Sequence, residues 1–243
     1  MKFLTFTKRN FKEILRDPLT FFFGLGFPVV ILLLLSAIQA NIPVELFVIE
    51  RLAPGVAIFG LSFITLFSSL LVAKDRESDF IMRLYASPLK ATDYILGYTL
   101  SLVPVAVMQT IICYAVALML GLPFSFNIII SILVMIPISF IFIMLGLLFG
   151  SILNVKQVGG ICGALLTNLT AYMSGIWFDL ELVGSGFKFF ADLFPFSHCV
   201  NLNRAIISGA STNILVDTLF IIGYVILCSI FAIILFYRQM RKK

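Results

Sequence analysis

The sequence predicts an all-α integral membrane protein with six transmembrane helices in a single domain over residues 1–243. Hydrophobic residues make up 61% of the chain and charged residues only 12%, whereas an average soluble domain has about 25% charged residues. Such a composition leaves too little polar surface to cover the apolar residues in water. Six apolar runs are each long enough to cross a bilayer, which takes about 20 residues.

Residues 1–17 predict an interfacial amphipathic helix. One face is apolar, and the other carries the basic residues Lys8, Arg9, Lys12 and Arg16. We expect this helix to lie on the membrane surface with its basic face toward the lipid headgroups. The n-region of a signal peptide is the alternative, but the apolar run that follows is longer than the usual h-region.

The first two spans are predicted over residues 19–40 and 52–73. Pro18 turns the chain into the first span, and a short polar loop over residues 41–51 separates the two. Pro54 suits the first turn of the second span, where a missing backbone N–H costs no hydrogen bond.

The stretch Lys74–Thr92 is a polar interruption long enough to form its own element. Apolar residues recur in it at helical spacing between charged ones, so it predicts a short amphipathic helix over residues 75–89. Pro88 ends the helical pattern. We expect this helix to lie at the membrane face and to present its apolar stripe to a soluble partner. The alternative is a solvated loop helix without a partner.

The remaining spans are predicted over residues 94–120, 127–153, 158–178 and 214–237. Between the last two, residues 179–213 are too interrupted for a crossing. We interpret them as two short amphipathic helices in the outer leaflet, with Ser197 as an N-cap and Gly209 as a helix end; a disordered loop is the alternative.

The distribution of basic residues predicts the orientation. Fourteen of the seventeen Lys and Arg residues fall on the side that holds both termini and residues 75–89, and three fall on the other side. By the positive-inside rule, both termini and the predicted helix over residues 75–89 are cytoplasmic.

The sequence lacks the groups that chemistry within the membrane needs. Acidic and basic residues stay at the ends of the spans, so ion coupling inside this chain is not expected. No GxxxxGK[ST] phosphate loop occurs. We expect the four cysteines to be packing residues and not to form a metal site. His198 is interpreted as a polar surface group. We therefore expect no enzymatic activity from this chain alone, and uphill transport would need energy from another subunit.

Two spans carry side chains that suit a transport pathway. In the second span Phe59 and Phe63 recur four positions apart, with Thr65 nearby, and the fifth span carries Asn168 and Tyr172. Core packing or lipid contact also explains an aromatic stripe. A buried amide at membrane depth needs a partner, so we expect Asn168 to bond across helices or to face a cavity. An aromatic wall opposite polar groups fits a hydrophobic or amphipathic molecule.

Two glycine pairs flank the loop between the fourth and fifth spans. Gly146 with Gly150 and Gly159 with Gly163 have the four-residue spacing that permits close helix contact. We expect them to pack the fourth span against the fifth.

Over nearly its whole length the chain resembles the type-2 ABC transporter permeases. The similar segments, in order, are Arg16-Asp17-Pro18; Leu52-Ala53-Pro54-Gly55; Lys74-Asp75-Arg76-Glu77 leading to Leu84-Tyr85-Ala86-Ser87-Pro88-Leu89; Ser174-Gly175-Ile176-Trp177-Phe178; and Phe194-Pro195-Phe196-Ser197-His198, followed by Arg204 and Gly209. Each segment alone is a weak signal, and their common order and spacing are more specific.

The resemblance implies a stand-alone permease of a bacterial plasma (inner) membrane exporter, which pairs with a second permease copy or paralogue and with two ABC ATP-binding subunits. ATP and Mg²⁺ would bind those subunits, so this chain would hold no cofactor. The helix after the second span would dock on the ATPase subunit through Asp75, Arg76, Glu77, Phe80, Arg83, Leu84, Pro88 and Leu89. The pathway would run between the permeases along the second and fifth spans, including Phe59, Phe63, Thr65, Asn168 and Tyr172, and the outer helices would form an exit gate.

The resemblance also implies a class of cargo, namely drugs, antimicrobial peptides or lipid-linked molecules. Membrane lipid is an expected partner and nucleic acid is not. The spans lack a basic lining, which argues against a highly anionic polymer. A different class of function stays open at this point: a stand-alone channel or membrane scaffold whose cytoplasmic helix binds a partner that is not an ATPase.

Overall fold

The computed structural model describes residues 2–18, 22–42, 44–78, 80, 91–210 and 213–241, which contain helices and turns but no strand. The α-helices are α1 Lys2–Arg16, α2 Phe27–Asn41, α3 Ile49–Glu77, α4 Ala91–Met119, α5 Phe126–Ile152, α6 Val155–Val158, α7 Thr167–Met173, α8 Leu180–Val183, α9 Ser185–Asp192, α10 Pro195–Ser208 and α11 Ile214–Arg241. Two π-helical segments lead into α2 and α7, Phe22–Gly26 and Gly159–Leu166, and a 3-10 turn, Glu45–Phe47, precedes α3.

Five helical stretches are long and apolar enough to cross a membrane. They are Phe22–Asn41, Ile49–Glu77, Thr92–Met119, Phe126–Ile152 and Ile214–Arg238. These stretches confirm an all-helical membrane protein and fall on five of the six predicted spans.

The predicted fifth span, residues 158–178, is not one of these stretches. The chain there forms α6, the π-helical segment and α7, which ends at Met173, and Gly175 follows with φ of +68°. We call residues 155–173 the fifth segment. A six-span count therefore stays a prediction.

Helix α3 is the centre of the fold. In its most apolar window 89% of the residues are buried, compared with 22% in the first and last spanning helices, so α3 is surrounded by the others. It packs against α5, α4, α10 and α2. Pro54 was expected in the first turn of this helix. The helix begins earlier, at Ile49, so Pro54 lies inside it.

The close contact between α3 and α5 depends on glycine. A Cβ atom on Gly146 would lie 1.5 Å from Ser68 Oγ and 2.6 Å from the Thr65 carbonyl oxygen. A Cβ atom on Gly150 would lie 2.5 Å from the Ser69 carbonyl oxygen. The expectation that this pair packs the fourth span against the fifth segment is therefore wrong: both glycines admit the backbone of α3.

Side-chain hydroxyl groups on α3 fix its register against α5. Thr65 donates a hydrogen bond to the Phe142 carbonyl at 2.9 Å, and Ser69 donates one to the Gly146 carbonyl at 2.9 Å. Hydroxyl groups that reach a neighbouring helix stabilise packing in a hydrocarbon environment, where water does not compete for them. The two helices thus form a fixed pair.

Candidate functional site

Asp75 lies at the end of α3 and joins three helices. Its side chain is 2% exposed. Arg9 of α1 donates to Asp75 Oδ2 at 2.8 Å and lies 2.7 Å from Oδ1, while the Tyr98 hydroxyl of α4 donates to Oδ2 at 2.8 Å. A buried carboxylate needs such partners, because hydrocarbon does not solvate its charge. Asp75 therefore fixes α1 and α4 to the end of α3.

The next two residues of α3 bind the opposite side of the fold. Arg76 donates hydrogen bonds to the carbonyl groups of Gly150 at 2.9 Å and Leu153 at 3.2 Å, at the end of α5. A cation at the C-terminus of a helix is also favoured by the helix dipole. Glu77 accepts a hydrogen bond from the Val155 backbone N–H at 2.9 Å.

Phe80 packs back onto α1. Its ring stacks with the Phe6 ring at a centroid distance of 6.4 Å, and the Arg9 guanidinium lies 4.3 Å from its centroid. Burial opposes the charge of Arg9, but its hydrogen bond to Asp75 and the Asp75 charge raise its pKa above the ordinary value. Arg9 thus stays charged between a carboxylate and an aromatic ring.

The predicted docking residues therefore divide into those that the structure describes and those that it does not. Asp75, Arg76 and Glu77 belong to α3 itself, which continues past the predicted span end at residue 73. The others, apart from Phe80, lie outside the described residues: Arg83, Leu84, Pro88 and Leu89. Docking to an ATPase subunit stays a prediction for all of them.

The basic residues predicted for the interfacial helix lie on α1 with different surroundings. Phe6 and Ile14 are buried, and α1 packs against α4. Lys8, Lys12 and Arg16 are exposed, whereas Arg9 turns toward Asp75.

An aromatic groove of about 520 Å³ brings together four of the five predicted pathway residues. Its walls come from the first span, from α3, from the fifth segment and from the turn that follows this segment: Phe23, Phe27, Ile31, Phe59, Phe63, Gly163, Thr167, Asn168, Ala171, Tyr172 and Trp177. Phe59 and Phe63 are each 5% exposed, and their rings meet edge to face at 5.6 Å. Edge-to-face packing stabilises such a cluster beyond its buried area.

The polar residues of the groove are on the fifth segment. Asn168 lines the groove, which is one of the two outcomes expected for it. Its amide donates a hydrogen bond to the Ala164 carbonyl of its own segment at 2.8 Å, and not across helices. Tyr172 is 51% exposed. Thr65 lies away from this lining, because it is fully buried against α5.

His198 joins the short helices α9 and α10 to α11. Its Nδ1 lies 2.6 Å from Asp217 Oδ1, and its Nε2 lies 3.0 Å from the Asp192 carbonyl oxygen. The expectation of a surface group is wrong, because His198 is 8% exposed and its ring stacks on Phe220 at 4.1 Å.

The partners of His198 favour its protonated form. A carbonyl oxygen and an ionised carboxylate both accept hydrogen bonds, so only an imidazolium satisfies both contacts. Burial is the largest single effect and opposes this charge, but the hydrogen bonds to Asp217 and to the Asp192 carbonyl, together with the charges of both aspartates, outweigh it and raise the pKa of His198 above its ordinary value.

Comparison with models of known protein families identifies the family of this chain. A family model described as "ABC-2 type transporter" matches residues 1–208 of the 243. The chain belongs to this family. It is therefore a multi-pass membrane component of an ABC transporter, a permease rather than a catalytic subunit, in a family that associates with ABC ATP-binding subunits. A search of curated proteins finds no match.

The groove of this permease also contains residues that were not predicted from the sequence. Trp177 meets Phe59 edge to face at 5.7 Å, and Phe27 of the first span meets Phe63 at 5.5 Å. The available signals were the phenylalanine-rich start of the first span and the single tryptophan directly after the fifth segment. Neither signal shows that Phe27 and Trp177 would lie next to Phe63 and Phe59 of α3.

Proposed function

We propose that this permease is the membrane subunit of an ATP-driven exporter in a bacterial plasma membrane, with both termini cytoplasmic. It moves a hydrophobic or amphipathic molecule, such as a drug, an antimicrobial peptide or a lipid-linked molecule. Separate ATP-binding subunits, two per complex, bind ATP and Mg²⁺ and supply the energy. Family membership supports the transport role, and the aromatic groove supports the class of cargo.

The composition of the groove carries this proposal. Pockets for small organic molecules measure about 300–1,000 Å³ and have mostly apolar walls with a few polar groups. The groove, at about 520 Å³, combines a phenylalanine and tryptophan wall with polar groups of Thr167, Asn168 and Tyr172. An apolar molecule with a polar end can satisfy both parts.

The fifth segment supports a dimeric pathway. Gly160, Ala164, Asn168 and Tyr172 recur every fourth residue and are all exposed, so they form one free stripe on this segment. A Cβ atom on Gly160 would meet nothing within 4 Å. Small residues four positions apart allow a second membrane helix to approach closely. A second permease seated here would enclose the groove, which opens between the copies.

Helix α3 supports a route for the energy. Its cytoplasmic end carries Asp75, Arg76 and Glu77 in bonds to α1, α4, α5 and the segment that begins at Val155. The same helix carries Phe59 and Phe63 into the groove. A displacement of the segment after α3 by the ATPase subunits would move this rigid helix and one groove wall together.

A transport assay with a groove variant tests the proposal. Inverted membrane vesicles that contain the complex are given ATP and a lipophilic cationic dye, and dye accumulation is measured. Tyr172→Ala is expected to weaken apparent dye affinity by up to about tenfold, because it removes one aromatic contact. Phe124→Ala is the matched control, since Phe124 is 79% exposed and lies outside the groove lining. Equal dye accumulation in both variants would contradict the groove as the pathway.

A further inference from the structure

A second groove, of about 890 Å³, lies between α1 and the end of α3. It is separate from the aromatic groove and shares no residue with it. Its lining contains five cationic and two acidic side chains along with Thr5 and Pro18: Lys8, Arg9, Lys12, Arg16, Lys74, Glu13 and Asp17. The excess of positive charge indicates an anionic ligand.

The two carboxylates of the lining already have partners. Glu13 forms an ion pair with Arg9 at 2.8 Å, and Asp17 forms one with Lys74 at 3.6 Å. These pairs neutralise two of the five cations. The charge that remains belongs to three other residues of α1.

Those three residues are Lys8, Lys12 and Arg16. They are four residues apart, so they follow one another along a single face of α1, and all three are exposed. Within the part of the chain that the structure describes, none of them forms an ion pair. A row of uncompensated cations beside a groove attracts phosphate oxygens.

Exposed apolar surface adjoins these cations. Leu4 and Leu15 of α1 are 46% and 42% exposed. Pro18 lines the groove, and the next described helix begins four residues later with Phe22, which is 61% exposed. A ligand with an acidic head and an apolar tail matches this arrangement better than an acidic protein surface, which would leave the leucines and Phe22 unmatched.

We propose that this groove binds the headgroup of an anionic phospholipid. Lys8, Lys12 and Arg16 contact its phosphate, and its acyl chains lie against Leu15 and the exposed face of the first span. The site fixes α1, and through the Arg9–Asp75 pair the end of α3, at the depth of the headgroups. It does not depend on what the aromatic groove transports.

Lipid titration of the full-length chain tests this site. The chain is purified in detergent, and binding of dioleoylphosphatidylglycerol and dioleoylphosphatidylcholine is measured by native mass spectrometry. The variant Lys8→Gln/Lys12→Gln is compared with Lys156→Gln/Arg238→Gln, which removes the same charge from exposed positions outside the groove. Lys8→Arg/Lys12→Arg restores the charge and tests whether the first variant merely misfolds.

The expected result is selective binding of phosphatidylglycerol, weakened about thirtyfold by Lys8→Gln/Lys12→Gln. The control and the arginine variant should bind it as the wild type does. Equal phosphatidylglycerol affinity in both glutamine variants would overturn the proposal. Complete displacement of the lipid by inorganic phosphate would assign the site to free phosphate instead. Loss of an acidic protein from the complex with unchanged lipid binding would make the groove a protein-docking surface.

Discussion

Two of the walls of the aromatic groove, α3 and the fifth segment, are built in opposite ways. On α3 several polar side chains bond to other helices: Thr65 and Ser69 to α5, and Asp75 to α1 and α4. On the fifth segment, Asn168 and Thr170 bond to carbonyl groups four residues back in their own segment, and Cys162 Sγ lies 3.3 Å from Ser69 Oγ of α3. Helix α3 is thus fixed to several helices, whereas Asn168 and Thr170 of the fifth segment are satisfied locally.

The two walls also differ in regularity. Helix α3 packs directly against Gly146 and Gly150 of α5, where even an added methyl group has no room. The fifth segment contains a π-helical stretch, Gly159–Leu166, and an exposed stripe. Such π-helical stretches occur often at functional sites, where they locally loosen a helix. A fixed wall that transmits movement and a free wall that receives a partner are what the proposed dimer requires.

The sharpest test of the fixed wall removes the charge of Asp75. Asp75→Asn removes this counterion from Arg9, which keeps its ion pair with Glu13, so the expected cost is about 2.5 kcal/mol, the value of a hydrogen bond to a charged group. We expect that loss in the free energy of unfolding, measured in mixed micelles with the fluorescence of Trp177, the only tryptophan. Glu45→Gln, at an exposed position in the 3-10 turn before α3, is the control and should change little. Similar losses in the two variants would show that α3 is not fixed through Asp75.

A pair of glycine substitutions compares the two walls directly. Gly146→Ala places a methyl group against Ser68 and the Thr65 backbone, and overpacking of this kind costs about 2 kcal/mol. Gly160→Ala meets empty space and improves helix propensity, so the free energy of unfolding should stay the same or rise. The same unfolding measurement checks both. A larger loss for Gly160→Ala than for Gly146→Ala would reverse the assignment of fixed and free walls.

The short helices α9 and α10 sharpen the comparison by adding a contact that depends on pH. The pKa of His198 is raised in the folded protein, so protonation of His198 stabilises the fold below its unfolded pKa, about 6.5, and this contribution is lost as pH rises through the folded value. The groups that face His198 are Asp217 of α11 and Asp192 of α9.

We expect deprotonation of His198 to lower the free energy of unfolding by about 1 kcal/mol, the value of one hydrogen bond. The reason is that neutral His198 donates to only one of its two acceptors. The measurement is the free energy of unfolding as a function of pH for wild type and His198→Gln. The difference between them should shrink as the pH rises above 6.5. A difference that is constant, or that grows with pH, would contradict the imidazolium contact.

The features predictable from sequence are those that depend on local pattern. Apolar runs located five spanning helices, and the four-residue spacing of Phe59 and Phe63 located one wall of the groove. For the fifth segment the apolar run predicted one continuous span over residues 158–178, but hydropathy does not report the π-helical stretch within it or its end at Met173.

Pairings between distant residues could not be predicted. Asp75 was predicted to begin a separate amphipathic helix, yet it lies within α3 and is buried against Arg9, a partner 66 positions away. His198 resembles a surface residue until the fold brings Asp217 against it. In each case a charged group is buried because folding supplies its partner, and composition and spacing give no measure of that distance.

The most direct test of the exporter is the composition of the complex. The tagged chain is purified from its native membrane in mild detergent and in lipid nanodiscs, and the stoichiometry of bound proteins is measured by mass spectrometry. We expect an ABC ATP-binding subunit in equal amount, and its loss in the variant Leu84→Asp, whose position falls in the predicted docking segment. Absence of any ATPase subunit in both preparations would contradict the ATP-driven exporter and favour a stand-alone channel or membrane scaffold.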